Sequence, residues 1–113
     1  MSSGESDCWS ISEAEARLHA YAALGNDGLE LALTRHAAER MEERGIIVSD
    51  ILDVLAAGRI DDEPTASTRP GYCKYRICGK SPNSGGREIC LVVIPDPGRP
   101  AIKLITVMWK DVR

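Results

Sequence analysis

Residues 72–109, YCKYRICGKSPNSGGREICLVVIPDPGRPAIKLITVMW, decide the fold. Three runs rich in β-branched, aromatic and aliphatic residues span Tyr72 to Cys78, Glu88 to Ile94 and Ala101 to Trp109. Clusters of Gly, Pro, Asn, Asp and Ser separate them. Such runs favour strands and such clusters favour turns. The links are short, so neighbouring strands are expected to run antiparallel, as a meander. Folding the first pair about Ser84 sets Ile77 across from Leu91 and Tyr75 across from Val93. Side chains alternate along a strand, so these residues share one face, the core face. Lys74, Arg76, Cys78, Glu88, Cys90 and Val92 fall on the other face, which is mixed and could line a groove.

The chain upstream reads as helical. Ser12 and Glu15 form a capping box that opens a helix over residues 12–24, with Ala14, Leu18, Tyr21 and Ala22 on one side. The GNDG run at 25–28 ends it. Leu29 to Leu33 alternates at period two yet consists of helix formers, so it is either a short strand or the lead-in to the next helix. Thr34 caps a helix from about Arg35 to Arg44, and Gly45 stops it. Ser49 caps another, with Ile51, Leu52, Val54 and Leu55 inward and Gly58 closing it. An acidic connection over 60–70 follows, with a short strand at its start. The expected fold is α+β: N-terminal helices packed on one face of a C-terminal antiparallel meander sheet of three to four strands.

The 113 residues fit one domain over 1–113. Residues 1–10 are expected to be disordered apart from docking of Trp9, 12–24 to be an extra helix, and 29–110 to be the core. Hydrophobic residues make up 43% and Phe is absent, so Ile, Leu, Val and Ala must fill the interior. A formal charge of -3 argues against a membrane surface. No apolar run approaches the roughly 18 residues of a membrane span, and the polar, acidic N-terminus lacks the plan of a signal peptide. A cytoplasmic location without membrane association is expected. Cys8, Cys73, Cys78 and Cys90 are then expected to be reduced thiols acting as small hydrophobes. No C-x-x-C pair suggests a metal, and no cofactor is expected. Cys78 faces Cys90 in the hairpin register, but a direct cross-strand disulfide is strained, so these thiols too are expected to stay unpaired.

Charge is unevenly distributed. Arg69, Lys74, Arg76, Lys80 and Arg87 follow one another with no acid between them. Lys74, Lys80, Arg87 and, on the last strand, Lys103 are candidate nucleic-acid contacts, supplying affinity through phosphates without reading sequence. Surface lysines also discourage sheet edges from pairing, which is the plainer explanation for them. Upstream, TRHAAERMEERG at 34–45 sets His36, Arg40 and Arg44 four residues apart on a helix, along one stripe beside the buried side. An imidazole next to two guanidiniums suits a bound phosphate and proton transfer. The same spacing, interleaved with Glu39 and Glu43, suits a salt-laced solvent face. Arg44 lies nearest the apolar arc and is the most structural of the three.

The run H-A-A-E-R-M-E-E-R-G-I at 36–46, with G-R-I at 58–60, Y-R-I at 75–77, L-V-V-I at 91–94 and I-T-V-M-W at 105–109, resembles the bacterial domain-of-unknown-function family 4258 over about residues 29–110. That family has no settled activity. Its plan of helices followed by a meander is similar to the RelE/ParE and barnase-colicin group of small RNases and toxins. The resemblance implies a cleft between a helix and one sheet face that holds RNA, with metal-free cleavage by 2′-hydroxyl attack. It would make His36 the general base or acid, Arg40 and Arg76 the holders of the phosphate, and Thr106 a source of a hydroxyl. The expected function is therefore an RNase or toxin-like domain acting on RNA phosphodiesters, partnered by a cognate inhibitor. The alternative is a non-catalytic protein-interaction domain on the same fold, self-associating or docking through residues 12–24.

Overall fold

The computed structural model of the chain describes residues 8–110. In chain order these form helix α1 (Ile11–Ala23), the single turn α2 (Gly25–Gly28), strand β1 (Glu30–Leu33), and helices α3 (Arg35–Arg44) and α4 (Val48–Ala57). Two-residue strands β2 (Arg59–Ile60) and β3 (Thr65–Ala66) follow, then the long strands β4 (Cys73–Lys80), β5 (Glu88–Pro95) and β6 (Ala101–Trp109).

Strands β4, β5 and β6 form the expected meander. Ile77 pairs with Leu91 and Tyr75 with Val93, the register that folding about Ser84 implies. The sheet is larger than expected and mixed. Its order is β1-β6-β5-β4-β2, with β3 also on β4, and β1 runs parallel to β6. The expectation of three to four antiparallel strands fails at Leu29–Leu33. As a strand this segment sends Leu29 and Leu31 toward the core and pairs Leu31 with Ile102. A parallel pair needs a long crossover, and α3, α4 and the β4–β5 hairpin supply it.

Helices α1, α3 and α4 bury one sheet face. Leu18, Ile51, Leu55, Ile77, Leu91 and Leu104 are all fully enclosed there. Burial of a leucine-sized side chain is worth about 1.5–3 kcal/mol, so this layer carries most of the stability. Gly58 sits where α4 meets β4. A Cβ on it would lie 2.5 Å from the Val54 carbonyl oxygen and 2.9 Å from that of Cys78, so only hydrogen allows the approach.

Thr34 and Gly45 bound α3 as expected: the Thr34 hydroxyl accepts the Ala37 N–H at 3.0 Å and Gly45 takes φ 69°. Two other caps differ. Ser10, not Ser12, caps α1, its hydroxyl accepting the Glu13 N–H at 3.2 Å. Helix α4 starts at Val48 rather than after Ser49. Its first turn is fastened by buried Asp50, which accepts the Ile47 N–H at 3.0 Å and the Ser81 hydroxyl at 2.7 Å. Asp50 thereby anchors the β4–β5 connection, where Ser81 and Ser84 are buried and residues 82–84 make a short 3-10 turn.

The expected disorder over 1–10 is corrected for residues 8–10; residues 1–7 lie outside the described part. Trp9 stacks on Tyr75 with centroids 6.1 Å apart, and its N–H donates to the Tyr75 hydroxyl at 2.7 Å. That docking brings Cys8 to the start of β4. The expectation of reduced thiols is overturned too, since Cys8 is bonded to Cys73 and Cys78 to Cys90, leaving no free cysteine. In the second pair the hairpin register itself brings the Cα atoms to 4.1 Å.

Helix α1 has its apolar side in use. Ala14, Leu18 and Ala22 are buried in the core, Glu15 accepts the Ile60 N–H at 2.7 Å, and the His19 ring lies 2.8 Å from the Gly58 carbonyl. Among the described residues no helix is long and apolar enough to cross a membrane.

Candidate functional site on the helix-free sheet face

Alternation along the strands gives the sheet a second face that no helix among the described residues covers. Residues meet there in rows across neighbouring strands: Ile94 with Lys103 and Ala32, Arg76 with Val92 and Thr106, and Cys78 with Cys90 and Met108. A bulge between Val92 and Val93 keeps this order. It takes up Ile105 as an extra residue, so Leu104 still points to the core while Thr106 stays on the open face. Lys74, next to Tyr75 on β4, points the same way and extends the Ile94 row.

The sequence-predicted residues divide between the two sides of the sheet. His36 is exposed on α3. Arg40 pairs with Glu43, and Arg44 reaches the same carboxylate at 3.4 Å. The Arg44 backbone carbonyl accepts the Trp109 indole N–H at 3.2 Å. Helix α3 buries Ala37 and Met41 in the core, so His36 and Arg40 belong to the helical side. Arg76 and Thr106 share a row on the opposite, open side. Arg76 donates to Asp62 at 3.1 Å and approaches the Cys90 sulfur at 3.7 Å. The four residues therefore do not converge.

The candidate nucleic-acid contacts also separate. Lys74, Lys80 and Lys103 take part in no ion pair among the described residues. Arg87 lies 4.1 Å over the Trp109 ring, at the end of the sheet.

A cleft of about 320 Å³ opens on the helix-free face at the Asp96 end. Its floor is the row of Ile94, Lys103 and Ala32, and the 67–72 loop makes one wall. Arg99 closes the far end by bridging two carboxylates over Ala101. It donates to Glu30 at 2.7 Å and lies 3.6 Å from Asp96. The Tyr72 hydroxyl donates to Asp96 at 3.2 Å. The Gly98 N–H, donating at 2.8 Å, does most to hold the Asp96 carboxyl below its ordinary range. Burial opposes that shift, while Tyr72 and Arg99 add to it. Arg99 is held above its ordinary value, first by its hydrogen bond to Glu30.

Sequence reasoning missed Glu30, Tyr72, Asp96 and Arg99 as a group. The D-P-G order at 96–98 is an Asx-turn signal that could have placed the Asp96–Gly98 bond. Nothing local joins Glu30 to Arg99, which are 69 residues apart.

No curated protein and no solved structure matches the chain. A family model matches residues 33–109, from the end of β1 through β6, and leaves α1 outside. By that match the chain belongs to DUF4258, a family described only as a domain of unknown function.

Proposed function

We propose that the chain is a nucleic-acid-binding domain that holds a single RNA strand across the helix-free face of its sheet without cleaving it. The observation that carries this reading is the cationic row on that face. Lys74 and Lys103 flank Ile94 with no carboxylate partner among the described residues, on a surface that no helix covers. Strands sit about 4.8 Å apart, so the two ammoniums stand roughly 10 Å from each other, spaced for successive contacts along a backbone. Lys80 adds charge at the other end of β4, and Arg76 and Thr106 offer donors in the middle. Apolar Ile94, Val92 and Met108 between them suit the faces of bases. The likeness of the sequence plan to RelE/ParE and barnase-colicin proteins points to the same ligand class.

Cleavage demands a proton-transfer group beside the phosphate holders. His36, the expected acid or base, belongs to the other side of the sheet, and a guanidinium with a pKa above about 12 is a poor proton donor. The RNase reading and its inhibitor partner therefore rest on the resemblance alone. Docking through 12–24 is disfavoured because Ala14, Leu18 and Ala22, the inward stripe of α1, are already buried in the core.

Anisotropy of a labelled ten-nucleotide RNA tests the proposal. With about four phosphate contacts, affinity should fall roughly 50-fold between about 50 and 200 mM salt. Lys74→Glu with Lys80→Glu should abolish binding at the higher salt. Salt-independent binding, or none, would sink it. A strand that is cut by wild type and spared by His36→Ala would restore the catalytic reading.

A further inference from the structure

We infer that the cleft at the Asp96 end is a site for one nucleotide carrying a terminal phosphate monoester. For a strand as the source, the inference rests on the RNA reading above; a free mononucleotide presents the same chemistry without it.

Charge selects the monoester. The lining carries Glu30 and Asp96 against Arg69, Arg99 and Lys103. Both acids are already engaged by Arg99. Lys103 and Arg69 have no carboxylate partner among the described residues, and the Arg69 guanidinium carbon lies 4.4 Å from the centroid of the Tyr72 ring. Two cations without a carboxylate partner among the described residues remain, one on the floor and one, against the Tyr72 ring, on the wall. A monoester carries about -1.5 to -2 at neutral pH, whereas an internal diester carries a single charge. The pair complements the monoester better, and a guanidinium adds directed hydrogen bonds to phosphate oxygens.

Shape selects the end of a strand. The Glu30–Arg99–Asp96 bridge links the β1 and β5 sides of the face at the Asp96 end, beside Ala101, and marks the end of the cleft. A chain following the open face from Lys80 past Arg76 must stop or turn there. At about 320 Å³ the cleft is at the small end of ligand pockets, fitting one nucleotide rather than a run of them. Ile94 and Ala32 beside Lys103 give the base and ribose an apolar bed. Thr68 on the wall lines the same space.

The test uses three versions of one labelled RNA decamer, ending in a 5′-phosphate, a 3′-phosphate or hydroxyls only, with a nucleoside monophosphate and its nucleoside as competitors. One phosphorylated strand should bind at least about tenfold tighter than the hydroxyl strand. Lys103→Ala should bring that ratio close to one without changing Tm, since Lys103 is exposed. The monophosphate, but not the nucleoside, should compete for the phosphorylated end. Equal affinities for all three strands with no competition would overturn the site, as would a ratio that survives Lys103→Ala. If no strand binds but the monophosphate does so in a Lys103-dependent way, the RNA reading falls and the site stands. If neither binds, both fall.

Discussion

Arg76 and His36 stand on opposite sides of the sheet: Arg76 shares an open-face row with Val92 and Thr106, whereas His36 rides on a helix packed against the core face. Spacing along a helix predicted which residues join His36 on its stripe. It could not predict which sheet face the stripe would meet. Arg76→Ala is accordingly expected to weaken RNA binding roughly fivefold and to reduce the salt slope by about 0.7, the signature of one lost single-strand phosphate contact. His36→Ala should change affinity by less than about twofold. The reverse ranking in an anisotropy titration would place the binding surface on the α3 side.

The two disulfides make a chemical prediction. Denatured protein prepared without reductant should present no thiol to an alkylating reagent, and four after reduction. Cys8–Cys73 closes a separation of 65 residues and Cys78–Cys90 one of 12. Chain-entropy arguments assign these about 4 and about 3 kcal/mol respectively. Cys8→Ser should therefore lower unfolding stability more than Cys78→Ser. Urea titrations of the two variants decide it.

Asp50 ties the start of α4 to the β4–β5 connection through the Ile47 N–H and the Ser81 hydroxyl. Asp50→Ala leaves the buried Ser81 hydroxyl and the part-buried Ile47 N–H without their acceptor, at a cost of about 2–3 kcal/mol. Ser81→Ala removes only one of the carboxylate's partners and should cost about half as much. A double-mutant cycle on the pair should give a coupling energy of about 1 kcal/mol or more. Additive effects would mean that the contact contributes nothing.

The Asp96 carboxyl has a folded pKa below its unfolded one, chiefly because the Gly98 N–H donates to the ionised form. Its contribution to stability is then fully present above the unfolded carboxylate pKa of about 3.9, and is lost as pH falls from there through the folded value. Asp96→Asn should flatten the acid limb of stability against pH below about pH 4 and leave the profile near neutrality parallel to wild type. Denaturant midpoints across that range measure the difference. An unchanged acid limb would mean that the Gly98 and Tyr72 bonds do not survive in solution.

Much of the local structure was legible in the chain itself. Thr34 and Gly45 marked the ends of α3, and Gly58 the end of α4, because caps depend on neighbours within a few residues. The hairpin register could be counted from Ser84, since alternation allows only one pairing that buries Ile77, Leu91, Tyr75 and Val93 together. Leu29–Leu33 stayed ambiguous for the opposite reason. Its residues favour helix slightly, and only the edge of β6 offers them ladder partners that override that preference.

The sequence alone determined the helices, the meander and the face to which each meander side chain points, all of them set by short-range periodicity and turn chemistry. The tertiary structure decided what those elements meet: the parallel docking of β1, the return of Cys8 to Cys73, and the separation of His36 from Arg76. It also decided the bridge from Glu30 through Arg99 to Asp96. Each of these joins residues far apart in the chain, whose approach depends on how a whole layer of helices buries one side of a sheet. No periodicity within a segment encodes which side that is.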